Sequence, residues 1–246
     1  MMDGRWEQLA KGCRVLVTKE HSFNTDTLLL AHFSLPKKGE LCADFGTGCG
    51  TIPLLWAARG QPKAVWGVEI QEAGARLAAQ SVEESGLSGR ITILQGDVRN
   101  IKALLGPEKL DLVACNPPYQ QAGAGHVSPR AARAVARVGG TLSLEELAGA
   151  ARYALRFGGR LCICLRVQRL AQAINTFASA GLEPKRLRLV QLRTNRAPYL
   201  FLLECRKGGR PGLDAEPTLL LETPDGRATD EIIQIYGDYR TGAGAP

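Results

Sequence analysis

Three carboxylates and one amide stand at the ends of four successive apolar runs of this sequence: Asp44, Glu69, Asp97 and Asn116. Each type suits a different partner. A carboxylate accepts hydrogen bonds and attracts cations, whereas an amide offers one carbonyl acceptor beside an NH2 donor. The first belongs to Asp44-Phe45-Gly46-Thr47-Gly48-Cys49-Gly50, a G-x-G-x-G loop led by an acid and followed by the helical stretch with Ile52, Leu54, Leu55 and Trp56. Glycines at a strand-to-helix turn let backbone approach a ligand without a Cβ in the way. The dinucleotide spacing, G-x-G-x-x-G, brings a pyrophosphate to a helix N-terminus. Here Asp44 would repel a pyrophosphate, so the loop suits a cation. S-adenosylmethionine, with an ammonium and a sulfonium centre, is such a ligand. An ordinary tight turn is the plainer reading, although three alternate glycines exceed what a turn needs.

Glu69 closes the next apolar run, where a carboxylate can accept both hydroxyls of a ribose. By itself it could equally be a solvated strand-end charge. Gly96-Asp97 follows the third run; there the acid could accept from an adenine amino group, or merely shape a turn. At the end of the fourth stands Asn116-Pro117-Pro118-Tyr119, whose prolines restrict the backbone where the strand leaves the sheet. An amino nitrogen conjugated to a base or amide is a poor nucleophile because its lone pair is delocalised. The Asn116 oxygen and a nearby backbone carbonyl, with Pro117 in the motif, can accept its two N–H bonds and turn the lone pair toward a methyl donor. Tyr119 offers a face on which a planar group can stack. Orientation is then the main catalytic contribution, and no strong base is required.

Elements that place these residues are legible as periods. LCADF (41–45), AVWGVEI (64–70), ITIL (91–94), LDLVAC (110–115) and LCICL (161–165) are nearly continuous apolar runs, as parallel strands covered on both faces require. Between them run helices. Ser143 and Glu146 form a capping box ahead of Leu144, Leu147, Ala148, Ala151 and Leu155, with Gly158-Gly159 as the expected stop. A second helix carries Leu170, Ile174, Phe177 and Ala178 and ends at Gly181. RLRLVQL (186–192) and YLFLLEC (199–205) then follow with only a short polar loop between them, as an antiparallel pair does. The expected architecture is α/β: a mostly parallel doubly wound, Rossmann-like sheet closed by an antiparallel C-terminal hairpin. The chain reads as a single domain, with residues 1–39 as an N-terminal lead-in, 40–206 as the core and 207–246 as a C-terminal extension. TLLLE and the stretch around Ile232 and Ile233 could add a short strand and a terminal helix.

Composition narrows the classes. At 246 residues, 45% hydrophobic and 22% charged, the chain can fill a core without staples and is not disordered. Its seven cysteines contain no C-x-x-C pair and lie in apolar runs, which suits buried, reduced thiols. Three scattered histidines give no ligand set, so no metal is expected. Neither a signal peptide nor a membrane-spanning run is expected, and the expected location is the cytoplasm. Lys and Arg total 31 against 24 acids, a net +7 that permits a polyanionic partner without requiring one.

Together the Asp44–Gly50 loop, Glu69, Asp97 and Asn116–Tyr119 resemble class I, Rossmann-like S-adenosylmethionine-dependent N-methyltransferases. More narrowly, the chain resembles the bacterial tRNA(valine) adenine-N6-methyltransferase family. The likeness extends from Asp26 and Leu28-Leu29-Leu30-Ala31 through Ala136-Arg137 and Arg166–Leu170, then through Lys185–Arg188 and Pro211-Gly212-Leu213 to Ile235-Tyr236-Gly237. It implies methyl transfer to N6 of an adenosine beside the anticodon of a valine tRNA. It also implies that Asp26 lies near the methionine end of the cofactor. The chain departs from the pattern at Val138-Gly139, where relatives often carry His-Glu, and at Asn24-Thr25. Arg130, Arg133 and Arg137 at helical spacing, and Arg186, Arg188, Arg193 and Arg196 around the hairpin, are candidate RNA phosphate contacts or simply solvated charge. Three rival functions share these features: a glutamine-N5 methyltransferase of release factors, a guanine-N2 methyltransferase of ribosomal RNA, and a non-catalytic cofactor- or RNA-binding adaptor. The oligomeric state is not legible in the sequence.

Overall fold

The computed structural model describes residues 4–117 and 142–239. Strands β1 (Arg5–Ala10) and β2 (Cys13–Val17) form an antiparallel hairpin, and α1 (Thr25–Phe33) follows. Then come β3 (Leu41–Phe45), α2 (Thr51–Arg59), β4 (Ala64–Glu69), α3 (Glu72–Glu84), β5 (Ile91–Gln95), the short α4 (Ile101–Leu104) and β6 (Leu110–Cys115). The remainder comprises α5 (Leu144–Ala154), β7 (Leu155–Arg166), α6 (Leu170–Ser179), β8 (Leu182–Gln191), β9 (Leu200–Lys207), β10 (Asp214–Ala215), β11 (Leu219–Leu220) and α7 (Asp230–Tyr236).

Among the described residues, nine strands form the main sheet in the order β10-β8-β9-β7-β6-β3-β4-β5, with β11 also paired to β8. Pairings from β7 to β5 are parallel, while β9 runs antiparallel to both β7 and β8. This is a Rossmann-like sheet with an antiparallel closing hairpin. Two apolar layers explain the continuous runs. Cys42, Leu112, Ala114, Cys162 and Cys164 pack on one face of the sheet, and Ala43, Phe45, Val113, Cys115, Leu161 and Ile163 on the other. All seven cysteines are buried free thiols.

The chain leaves β3 for β4 and β5 on one side, then returns to place β6 on the other side of β3. The strand order therefore reverses between β3 and β6, and an open α/β sheet has its crevice at the carboxyl ends of such a pair. Asp44 and Asn116 stand at those two ends.

One expectation is corrected. Gly158-Gly159 does not stop α5; that helix ends at Ala154 and β7 begins at Leu155. The glycines lie inside the strand, where pairing with β6 shifts register between Leu110 and Leu112. Gly158 has φ +77, and a Cβ on Gly159 would stand 2.9 Å from Arg156 O and 3.0 Å from Leu110 O, so the irregularity needs both glycines. The N-terminal segment packs onto the sheet domain. Leu9, Val15 and Val17 are core residues, and Leu16 N–H donates to Ser81 Oγ on α3 at 2.9 Å.

Candidate active site

An open cavity of about 300 Å³ lies at the β3/β6 edge. Its walls come from Asp44, Gly46, Thr47 and Gly48 after β3, from Asn116 and Pro117 after β6, and from Phe23, Asn24 and Thr27 around the start of α1. Gly46, Gly48 and Gly50 have φ of +81, +57 and +89, a region that a side chain makes costly, and this is why the loop alternates glycines. A Cβ on Gly46 or Gly48 would meet nothing within 4 Å, so both present open backbone. Gly50 serves packing instead, since its Cβ would come 3.2 Å from Ala78 Cβ on α3. It does not line the cavity.

Asp44 is buried, and its Oδ1 has no hydrogen-bond partner; the hydroxyl of neighbouring Thr47 is likewise buried without one. Burial pushes the Asp44 carboxyl up to about 7; nearby Thr47 opposes that rise and the charge of Glu69 adds to it. A buried carboxylate oxygen without a partner costs free energy unless a cationic or hydrogen-bonding ligand completes it. Glu69 is buried too, but its oxygens are held: Oε2 accepts from Gly48 N–H and Oε1 from Gln71 N–H, both at 2.8 Å. It therefore braces the glycine loop while keeping acceptor capacity, since an ionised carboxylate offers about four lone-pair sites.

Asp97 caps a short turn and pairs with Arg99, whose Nε donates at 2.8 and 3.0 Å. That bond holds its carboxyl below the usual range. Any adenine contact must share the acid with Arg99. Asp26 is buried on α1, and after burial its charge is the next influence raising the Tyr199 hydroxyl. Asp26 is not among the residues that line the cavity. Asn116 Nδ2 donates to Thr27 Oγ1 at 3.3 Å, joining β6 to α1. Pro118, Tyr119, Arg130, Arg133 and Arg137 lie outside the described residues.

Ion pairs separate the hairpin arginines. Arg188 makes a forked pair with Glu231 at 2.6 and 2.9 Å, and Arg186 pairs with Glu204 and Glu216 while stacking on Phe33. Both arginines are engaged in ion pairs within the fold. Arg193 pairs with Glu222. Arg196 is exposed in the β8–β9 loop, and that loop follows the end of β8, at the same sheet edge as the ends of β6 and β7.

Sequence reasoning missed Phe23, Asn24 and Thr27 as cavity residues. Asn24-Thr25-Asp26-Thr27 before LLLAHF is a legible helix start, but its place beside Asn116 depends on a contact 89 residues distant.

Residues 19–178 match the methyltransferase small domain family. The chain belongs to this family. A relative from Porphyromonas gingivalis named tRNA1(Val) (adenine(37)-N6)-methyltransferase is 30% identical over 81% of this chain and 79% of its own. A relative of the same name from Tolumonas auensis is 28% identical over 87% and 88% of the two chains. This small-domain methyltransferase thus groups with the tRNA(valine) adenine-N6-methyltransferases by sequence. Among solved structures, a predicted O-methyltransferase of Agrobacterium tumefaciens superposes with a TM-score of 0.69 at 23% identity, over 89% of this chain and 98% of that one. A geranyl diphosphate C-methyltransferase of Streptomyces coelicolor, solved with S-adenosyl-L-homocysteine, gives 0.53 at 12% identity over 73% and 79%. At these identities the likeness is one of fold.

The family is one of methyltransferases, and the methyl donor expected from the glycine loop and the acids is S-adenosylmethionine. The cavity fits it: Asp44 Oδ1 lacks a partner, and Gly46 and Gly48 leave the floor open. Asp44 and Thr47 would hold the charged amino-acid end and Glu69 the ribose. When bound, the cofactor supplies an electrophilic methyl carbon on a sulfonium.

Proposed function

We propose that this methyltransferase modifies N6 of an adenosine in tRNA, at position 37 of a valine tRNA as the names of its relatives state. The observation that carries the reading is Asn116, an amide at the wall of the open cavity, directly after the strand that flanks the glycine loop. Its carbonyl and that of Pro117 would accept the two N–H bonds of the exocyclic amine and orient the nitrogen for in-line attack. Asn116 and Pro117 would hold the nitrogen facing the methyl group that the cofactor supplies, and the methylated nitrogen would lose a proton to water. No general base is needed for that loss. The adenosine must leave its stack to reach the cavity, as base-modifying enzymes require. Arg196 on the adjoining loop, with Arg130, Arg133 and Arg137, is proposed to meet phosphates, which position RNA without reading sequence. A cytoplasmic location accords with this substrate.

Tritiated S-adenosylmethionine offered with total tRNA, ribosomal RNA and release factor in parallel tests the proposal. Label in tRNA that digests to N6-methyladenosine is the expected result. Label confined to release factor or to guanosine in ribosomal RNA would replace the adenosine reading.

A further inference from the structure

We infer that Asn24 and Thr27 are positioning residues that set which end of the Asn116 amide meets the substrate. This rests on the amino-methylation reading above. An amide side chain carries a donor and an acceptor of almost equal size, and only the oxygen can accept from an amine. Something must choose between the two orientations. The choice begins at a group with no ambiguity, the backbone N–H of Thr27, which can only donate. It donates to Asn24 Oδ1 at 3.1 Å, so Asn24 must present its oxygen there. The Thr27 hydroxyl has a single proton and gives it to the same oxygen, also at 3.1 Å.

A hydroxyl with its proton so placed can only accept from its next neighbour. That neighbour is Asn116, 3.3 Å away, which must therefore turn Nδ2 toward Thr27. In a planar amide the carbonyl oxygen is then the end directed away from Thr27, and Asn116 and Thr27 both line the cavity. Had the hydroxyl proton gone to Asn116 instead, the amide would present NH2 to an incoming amine, donor against donor. The start of α1 anchors the series, because Asn24 is its N-cap with extended backbone (φ −134, ψ −179). Polarity thus passes from a helix N-terminus to the reactive amide through two side chains.

The experiment first finds the acceptor that the wild-type protein labels among total tRNA, ribosomal RNA and release factor, then uses it for the variants. Thr27→Val keeps the shape and removes the hydroxyl. Its kcat should fall about tenfold or more while the Kd for S-adenosylmethionine stays within about twofold, as loss of one orienting hydrogen bond implies. Thr27→Ser should restore kcat to within about threefold, because the hydroxyl returns. Asn24→Ala, which removes the oxygen that takes the Thr27 proton, should lose kcat as well. A Thr27→Val protein with unchanged kcat overturns the inference. So does a loss matched by weakened cofactor binding, or a Ser variant that rescues nothing. Wild-type label in release factor alone would sink the adenosine reading and leave the relay testable on that acceptor. No label in any acceptor would overturn both.

Discussion

At the residue scale, the proposed reaction divides its chemistry between Asp44 and Asn116. The fold favours neutral Asp44, because burial raises its carboxyl from 3.8 to about 7. The stability of the free protein that depends on this proton is complete below about pH 4 and is lost as pH rises through about 7. Ligand affinity should run the opposite way, since only the ionised acid attracts an ammonium. We expect S-adenosylmethionine to bind about eightfold more weakly at pH 6 than at about pH 7.5, with Asp44→Asn flattening that slope in calorimetric titrations. At Asn116, replacement by Ala should lower transfer about 100-fold at saturating cofactor, the scale seen when one transition-state hydrogen bond is removed. Near wild-type turnover would refute the orienting role.

At the element scale, the cofactor loop depends on a glycine outside it. A Cβ on Gly67 of β4 would stand 2.9 Å from both Thr47 Cγ2 and Ile93 Cδ1. Gly67→Ala should therefore displace the loop, costing about 1–3 kcal/mol of stability and weakening cofactor affinity together. Denaturant unfolding and a binding titration on the same variant check both effects. The tail supports the opposite wall: Thr25 Oγ1 and the Tyr236 hydroxyl lie 2.8 Å apart, and the Phe23 and Tyr239 rings meet edge-on at 5.2 Å. Arg59 on α2 donates to the carbonyls of Ile235 and Tyr236 at the end of α7. A short helix whose final carbonyls are satisfied by a distant arginine is held by tertiary contact more than by its own propensity.

At the scale of the whole molecule, the N-terminal hairpin, the sheet and the C-terminal helix share one apolar cluster containing Leu9, Leu54, Leu112, Ile232 and Ile235. The expected consequence is one cooperative unfolding transition reported identically by tryptophan fluorescence and circular dichroism. Two transitions would divide the chain into separate units. Net charge has two separable roles. Arg188→Ala should lower stability, because it strands Glu231 and loosens α7 from β8, and should change the salt dependence of tRNA binding little. Arg196→Glu should leave stability nearly unchanged, weaken tRNA binding several-fold and lower the salt slope by about one.

Local signals were sufficient for the strands β3 to β6, the α5 capping box, the glycine loop and the hairpin, because strand periodicity, caps and positive-φ turns are written in neighbouring residues. They also indicated which side chains could do chemistry. Three matters belonged to the tertiary structure alone. Gly158-Gly159 reads as a helix stop and becomes a strand irregularity, since the register of β7 against β6 is a non-local property. Arg186 and Arg188 read as a patch for phosphate and turn out to be paired, since their partners Glu204, Glu216 and Glu231 come from other elements. Asn24 and Thr27 carry no catalytic signature, and only the packing of α1 against the end of β6 brings them to Asn116. Sequence determines what each residue can donate or accept; which group receives it is decided by contacts between segments far apart in the chain.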